Sequence, residues 1–355
     1  DPEGHLMMPH VGGRRCIMDW YHPTMDRLVE IGSAWGHFPW LYQEVHSRGY
    51  KLGVSLNGDE HRGRCGGGVP GTAVFGTKGG VTGLICDRLD RPTVGKALRA
   101  RHTWGTTGER LVALSWCGDN LMGDEFEHSG PATISYHFLG DVGWDEITLF
   151  DHTGIIANRN LQEEAGYSES KIRVRFGGAR IRDRYRWADW RGEIDIRNGV
   201  IHSFKAQGLE HKEETVWRAG ATTIGFRTDT YGDTDSVEID LSHLAQSTIK
   251  VSGQIHSYVK VGNPLDGNPF IHCPEFEIEV SGADLLENGI FRKELGGVEL
   301  FVAVERMSDK GMSRDVSGSF EVDAVNGPHG HRPVWLQGRQ RDDGKAWTSA
   351  MYITF

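Results

Sequence analysis

No C-x-x-C pair occurs in this chain. Its five cysteines, Cys16, Cys65, Cys86, Cys117 and Cys273, are odd in number and scattered. That pattern excludes a paired disulfide framework and a thiolate zinc site, and it fits buried thiols in a reducing compartment. A cytoplasmic address is slightly favoured on that ground alone. The chain opens at Asp1 without a signal-like segment, so its localisation is otherwise unknown. Long hydrophobic runs are missing too. No apolar stretch approaches the roughly 18–20 residues of a membrane-spanning helix, so no membrane partner is expected. Positive charge is scarce: 39 Lys and Arg stand against 49 Asp and Glu, a net charge of −10. A general nucleic-acid binder needs a basic footprint, and this balance disfavours one. Also absent are a G-x-S-x-G nucleophile elbow, a P-loop, and a dinucleotide fingerprint set between a strand and a helix. Mechanisms built on those motifs have no support in the sequence.

What is present points to a globular chain. Its 355 residues are too many for one ordinary core, so two domains are expected. Hydrophobic residues make up 38% and charged residues 25%, the usual mix for a folded domain. The 48 glycines and 11 tryptophans favour turns and strands over long helices. Residues 1–110 read as α/β. The run Leu28 to Ile31 is a strand candidate, "PWLYQEVHSRGY" has helical spacing with a stop at Gly49, "KLGVSL" is a second strand, and "DRPTVGKALRARHTWGTTG" is a second helix. Strand, helix, strand and helix at this spacing argue for parallel architecture, in which ligands collect at the carboxyl ends of strands. Residues 111–355 read differently. Short alternating runs such as "ATISYHFL", "KIRVRF", "SVEIDL" and "EFEIEV" are punctuated by Gly, Asn and Asp, which predicts a large β-rich, sandwich-like domain or two smaller β units.

The chemistry concentrates in "GVSLNGDEHRGRCGGGVPG", residues 53–71. Asp59 and His61 lie two apart just past a strand candidate, and alternation along an extended chain points both side chains the same way. A carboxylate and an imidazole so placed suit a zinc, manganese or iron ion; a polar turn is the plainer reading. His10 follows a second strand-like run, "LMMP", and adds a third candidate ligand. The metal reading therefore assigns His10, Asp59 and His61 as ligands, with Asp59, His61 and Arg62 carrying the catalysis. Arg14, Arg15 and Arg64, beside these residues, are candidate clamps for an anionic substrate, because guanidinium forks match carboxylate and phosphate oxygens. Glu30 at a strand end and His37 in "WGHFPW" complete the candidate substrate site; the blander role for His37 is packing among Trp35, Phe38 and Trp40.

Several stretches together, "MMPHVGGR", "LVEIGSAWGHFPW", "GYKLGVSLNGDEHRGRCGGGVPG", "GGVTGLI", "ALRARHTWGTTGERL" and "RPVWLQGRQRDDGKAWTSAMYI", resemble the polymerase and histidinol phosphatase (PHP) superfamily. The resemblance is to its large bacterial branch with a β-rich C-terminal domain. It implies the C-terminal part of a distorted (β/α)7 barrel over residues 1–110, followed by the β region. It also implies divalent metals, up to three in the family, and hydrolysis of phosphoesters by metal-activated water. The late histidine motif of the family falls on His10 and its final D-x-H motif on Asp59 and His61. The opening H-x-H motif has no counterpart here, so an N-terminal fragment or a second chain is expected to complete the barrel, and these 355 residues alone are expected to be inactive or weak.

Three other features have structural readings first. Lys171, Arg173 and Arg175 form a basic strand face, repeated at Arg180, Arg182, Arg184 and Arg186, and read as a solvated face balanced by acids. "DTYGDTDSVEID" offers Asp229, Asp233, Asp235 and Glu238 but lacks EF-hand spacing, and reads as a solvent turn. Trp187, Trp190 and Trp217 read as sandwich core. Two function classes follow: a metal-dependent hydrolase acting on a small phosphorylated or acidic substrate, or a non-enzymatic β-sandwich protein that binds a carbohydrate or acidic ligand.

Overall fold

The computed structural model describes residues 2–11, 15–59, 76–183, 186–256 and 274–355. The chain divides into two compact units that interleave along the sequence. One holds residues 1–69, 78–164 and 311–355; the other holds residues 70–77 and 165–310.

In the first unit, two short strands, Leu28–Glu30 and Gly53–Ser55, run parallel, pairing Leu28 with Gly53 and Glu30 with Ser55. The helix Pro39–Ser47 connects them. Proline opens it, where no backbone N–H partner is lost, and Leu41, Val45 and His46 are buried on one side. The chain then turns at Gly49 with φ +77°, a left-handed conformation that glycine adopts without steric cost. Residues 7–10 lie along the other edge of Leu28–Glu30 through parallel bridges, Met7 to Asp26 and His10 to Glu30. Val29, Ile31, Leu41, Val45 and Val54 pack with Trp335 and Trp347 into one apolar cluster.

The rest of this unit is antiparallel, with one parallel pair between Met351–Thr354 and Glu125–Glu127. One sheet runs Gly154–Asn160, Trp144–Asp151, Arg332–Gln340, Lys345–Thr348, Thr103–Thr106, Val81–Leu84. A four-stranded sheet runs Asp315–Val322, Ala132–Leu139, Val112–Cys117, Asn120–Leu121. Inward residues such as Ile134, Phe138, Trp144, Ile147 and Leu336 form their common core.

The second unit is a sandwich of two five-stranded antiparallel sheets. One is ordered Val200–Gln207, Thr234–Ser242, Lys171–Ala179, Val298–Arg306, Ile290–Gly296. The other is ordered Thr215–Arg218, Thr223–Thr230, Ala188–Arg197, Thr248–His256, Glu275–Ser281. Alternation sets the layers: Ile172, Val174 and Phe176 from one sheet meet Trp190, Ile194 and Phe226 from the other.

This architecture corrects the barrel expectation. Of the described residues, 51% are strand and 12% helix. It is predominantly sandwich-like, and the described residues form no closed barrel and nothing that marks a (β/α)7 fold of the PHP type. The physical reason lies in residues 81–106. The helix Arg91–Ala100 has the expected signals, with Asp90 accepting from the Thr93 N–H at 2.9 Å as its N-cap. Yet the strands flanking it, Val81–Leu84 and Thr103–Thr106, pair antiparallel with each other, and Thr103–Thr106 pairs antiparallel with Lys345–Thr348. A parallel crossover unit cannot be built from them.

Candidate functional site

The carboxyl edge of the parallel strands gathers a polar cluster. Each strand contributes the residue at its end: His10 after the 7–10 segment, Glu30 closing Leu28–Glu30, and Asn57 two residues past Gly53–Ser55. Asn57 is fixed on both sides through its backbone, its N–H donating to Gly32 O at 3.0 Å and its carbonyl accepting from Gly80 N at 2.8 Å. Its side-chain Nδ2 donates to Glu30 Oε2 at 2.7 Å and to Ser55 Oγ at 2.6 Å, which uses both amide hydrogens.

Glu30 is 7% exposed. A carboxylate that deep requires compensation, and the Asn57 amide supplies it at Oε2. The other oxygen, Oε1, is buried without a hydrogen bond among the described residues and lies 3.4 Å from His10 Nδ1. That separation exceeds the ~2.7–2.9 Å of an aligned charge-assisted bond, so the pair is an ion contact and Oε1 keeps acceptor capacity. His10 is half-exposed. Glu30 raises its pKa above the ordinary 6.5, against an opposing effect of burial, and Asp59 adds a smaller push in the same direction. Asp59 itself has φ +42°, a left-handed backbone two residues past Asn57. The result is an imidazole biased toward its charged form, backed by a buried acid on its Nδ1 side.

The other candidate residues fall elsewhere. His37 pairs with Gly32 in a small hairpin and is 6% exposed, with neither ring nitrogen hydrogen-bonded among the described residues. Burial holds it neutral, its pKa pushed down to about 3. Arg15 is exposed. Arg14, His61, Arg62 and Arg64 lie outside the described residues. Among the described residues, no group of three His, Cys, Asp or Glu side chains has the arrangement of a metal site. The description as a metal-binding hydrolase of the PHP type is corrected on that finding together with the missing barrel; His61, one of the three expected ligands, lies outside the described residues, and neither finding bears on phosphoester hydrolysis itself.

Asn57 was not among the residues picked out by the sequence. Its signal was present: an amide directly after a strand, two residues before Asp59, can hold a neighbouring strand-end carboxylate. The basic face of Lys171–Ala179 also differs from expectation. Arg173 is 1% exposed and makes a buried pair with Glu305, Nε to Oε1 at 2.6 Å. Trp190 is core, its Nε1 donating to Thr230 Oγ1 at 2.9 Å, whereas Trp217 is 45% exposed.

No family model and no curated protein matches this chain. One solved structure with weak similarity is the crystal structure of BcpA, the major pilin subunit of Bacillus cereus. The identity is 11% over 70% of this chain and 64% of that one, with a TM-score of 0.14. The matched chain thus spans just under two thirds of that neighbour, and a score this low bears on neither fold nor function.

Proposed function

We propose that the chain is a ligand-binding β-sandwich protein whose recognition contact is His10, and that it takes a small acidic ligand, a carboxylate- or phosphate-bearing sugar or metabolite. The single observation that carries this reading is the His10–Glu30–Asn57 arrangement. Glu30 is held in place by the Asn57 amide and biases His10 toward the imidazolium form. An imidazolium has two N–H donors. Nδ1 faces Glu30, and Nε2 on the opposite edge of a half-exposed ring has no partner among the described residues. A charged N–H not engaged by Glu30 is a donor for an anionic oxygen, and such bonds are about twice as strong as neutral ones.

The test is calorimetric titration of the chain with inorganic phosphate and, separately, with D-glucuronate. The reading expects binding that weakens as pH rises through the His10 pKa and is lost in His10→Ala. Equal binding by His10→Ala, or no binding of either probe below neutral pH, would refute it.

A further inference from the structure

Within the sandwich unit, the acidic stretch around residues 229–238 does not form a solvent turn. Asp235 sits on the same face of Thr234–Ser242 as Val237, Ile239 and Leu241, all of them core residues. Across the layer, Thr228 shares its face with Ile224 and Phe226. The two polar residues meet at one end of the apolar core. Asp235 is 1% exposed; its Oδ2 lies 2.5 Å from Thr228 Oγ1, and its Oδ1 is buried with no partner among the described residues. Thr228 Oγ1 also lies 2.8 Å from Glu214 Oε1.

One hydroxyl carries one hydrogen, so it cannot donate to two carboxylates. Glu214 is the more fully hydrogen-bonded of the two carboxylates. Its Oε1 also accepts from Asp229 N at 2.7 Å, and its Oε2 accepts from Glu210 N and His211 N at 2.6 Å each. Three backbone N–H groups thus hold this carboxylate as an acceptor, independently of Thr228. Among the described residues, Asp235 has no backbone donor and no ion-pair partner. The consistent arrangement is a relay in which a protonated Asp235 donates to Thr228 Oγ1 and Thr228 donates to Glu214. A bound cation could also neutralise the acids, but the described residues hold no metal-site arrangement.

We propose that Asp235, Thr228 and Glu214 form a pH-sensitive latch that holds the turn at residues 210–214 against the strand Thr223–Thr230, and that ionisation of Asp235 releases it. Glu214 is the one residue of the three on a turn, so repulsion between two carboxylates sharing one hydroxyl displaces it. Releasing it frees the N–H groups of Glu210 and His211. It also frees His211 itself, whose Nε2 bonds the Gly76 carbonyl and whose ring lies against Tyr231. Every neighbouring charge has to be counted. After burial, Glu214, Asp233 and Glu210 act to raise the Asp235 pKa, and the Thr228 hydroxyl acts to lower it. Asp229, raised to about 7 by burial, Asp189 and Glu214, is opposed by His211 and Arg227, and Arg191 and Arg227 pair with Asp189.

The experiment uses the whole chain. Carboxyl ¹³C NMR follows Asp235 from below neutral to alkaline pH, while hydrogen exchange, corrected for its intrinsic pH dependence, follows the peptide spanning 208–214. The latch expects a protonated Asp235 at neutral pH. Above its midpoint, protection of the peptide falls by up to about tenfold per pH unit, the limit for one linked proton. In Asp235→Asn that fall disappears; should this variant not fold, the wild-type titration alone decides. An ionised Asp235 at neutral pH, protection that ignores its titration, or a midpoint moved by added Ca²⁺ or Mn²⁺ would overturn the proposal.

Discussion

Replacing His46 by phenylalanine isolates what a buried neutral histidine does to the pH range of the fold. His46 is 1% exposed in the helix Pro39–Ser47. Its ring centroid lies 4.4 Å from Tyr42 and 4.6 Å from Trp335, Nδ1 is 3.3 Å from the Tyr50 carbonyl, and Nε2 has no partner. Burial pushes its pKa from 6.5 down to about 3. A depressed folded-state pKa means that the unfolded chain binds the proton first. The stability is therefore complete above about pH 6.5 and is lost as pH falls toward 3, for a total of about 5 kcal/mol at 1.36 kcal/mol per unit. Roughly 2 kcal/mol of that loss falls between about pH 8 and about pH 5. Phenylalanine keeps the aromatic packing and gives up the Tyr50 bond, a cost of about 1 kcal/mol that does not depend on pH. The assay is urea unfolding of both proteins at the two pH values. The wild type should lose about 2 kcal/mol more than the variant on acidification. His37 has the same sign, so the variant does not become flat. Parallel losses in the two proteins would refute the reasoning.

Removing the Asn57 amide should expose how much Glu30 depends on it. Asn57→Ala leaves Oε2 of a buried carboxylate without its donor and should cost about 1–3 kcal/mol in urea unfolding near neutral pH. Two glycines should respond in opposite directions. A Cβ on Gly53 would lie 2.7 Å from Arg101 Cβ, Leu28 Cδ2 and Ser349 Oγ, so Gly53→Ala should destabilise by about 1–3 kcal/mol. Gly95, inside the helix Arg91–Ala100, has nothing within 4 Å of its Cβ position, so Gly95→Ala should stabilise by about 0.5–1 kcal/mol. Melting temperatures of the two variants check both signs.

Local signals in the sequence carried local structure. Proline and glycine bracket Pro39–Ser47, Asp90 caps Arg91–Ala100, and alternation marks the strands beyond residue 111. Pairing partners were not legible, because they are set by contacts far along the chain. Thr103–Thr106 takes Lys345–Thr348 as its neighbour, and no periodicity near residue 103 records that choice. The error in fold class came from there: a helix between two strands reads as a parallel crossover until the strands are seen to run antiparallel. At the candidate site, His10 and Glu30 stood out as strand-end residues, and they are neighbours through a parallel bridge. Asn57 is harder to read, because an Asn-Gly pair reads first as a turn. Asp235 is hidden for the opposite reason. Its neighbours Asp229 and Asp233 suggested a solvent loop, whereas its phase with Val237, Ile239 and Leu241 put it inside.

The most direct test of the ligand-binding account is the titration of His10 itself, followed by ¹⁵N NMR of the histidine ring with and without inorganic phosphate, in the wild type and in Glu30→Gln. The account predicts a free-protein pKa above the ordinary 6.5, a further rise when phosphate binds, and a fall in Glu30→Gln accompanied by weaker binding. An ordinary pKa that neither phosphate nor the Glu30 substitution moves would contradict it.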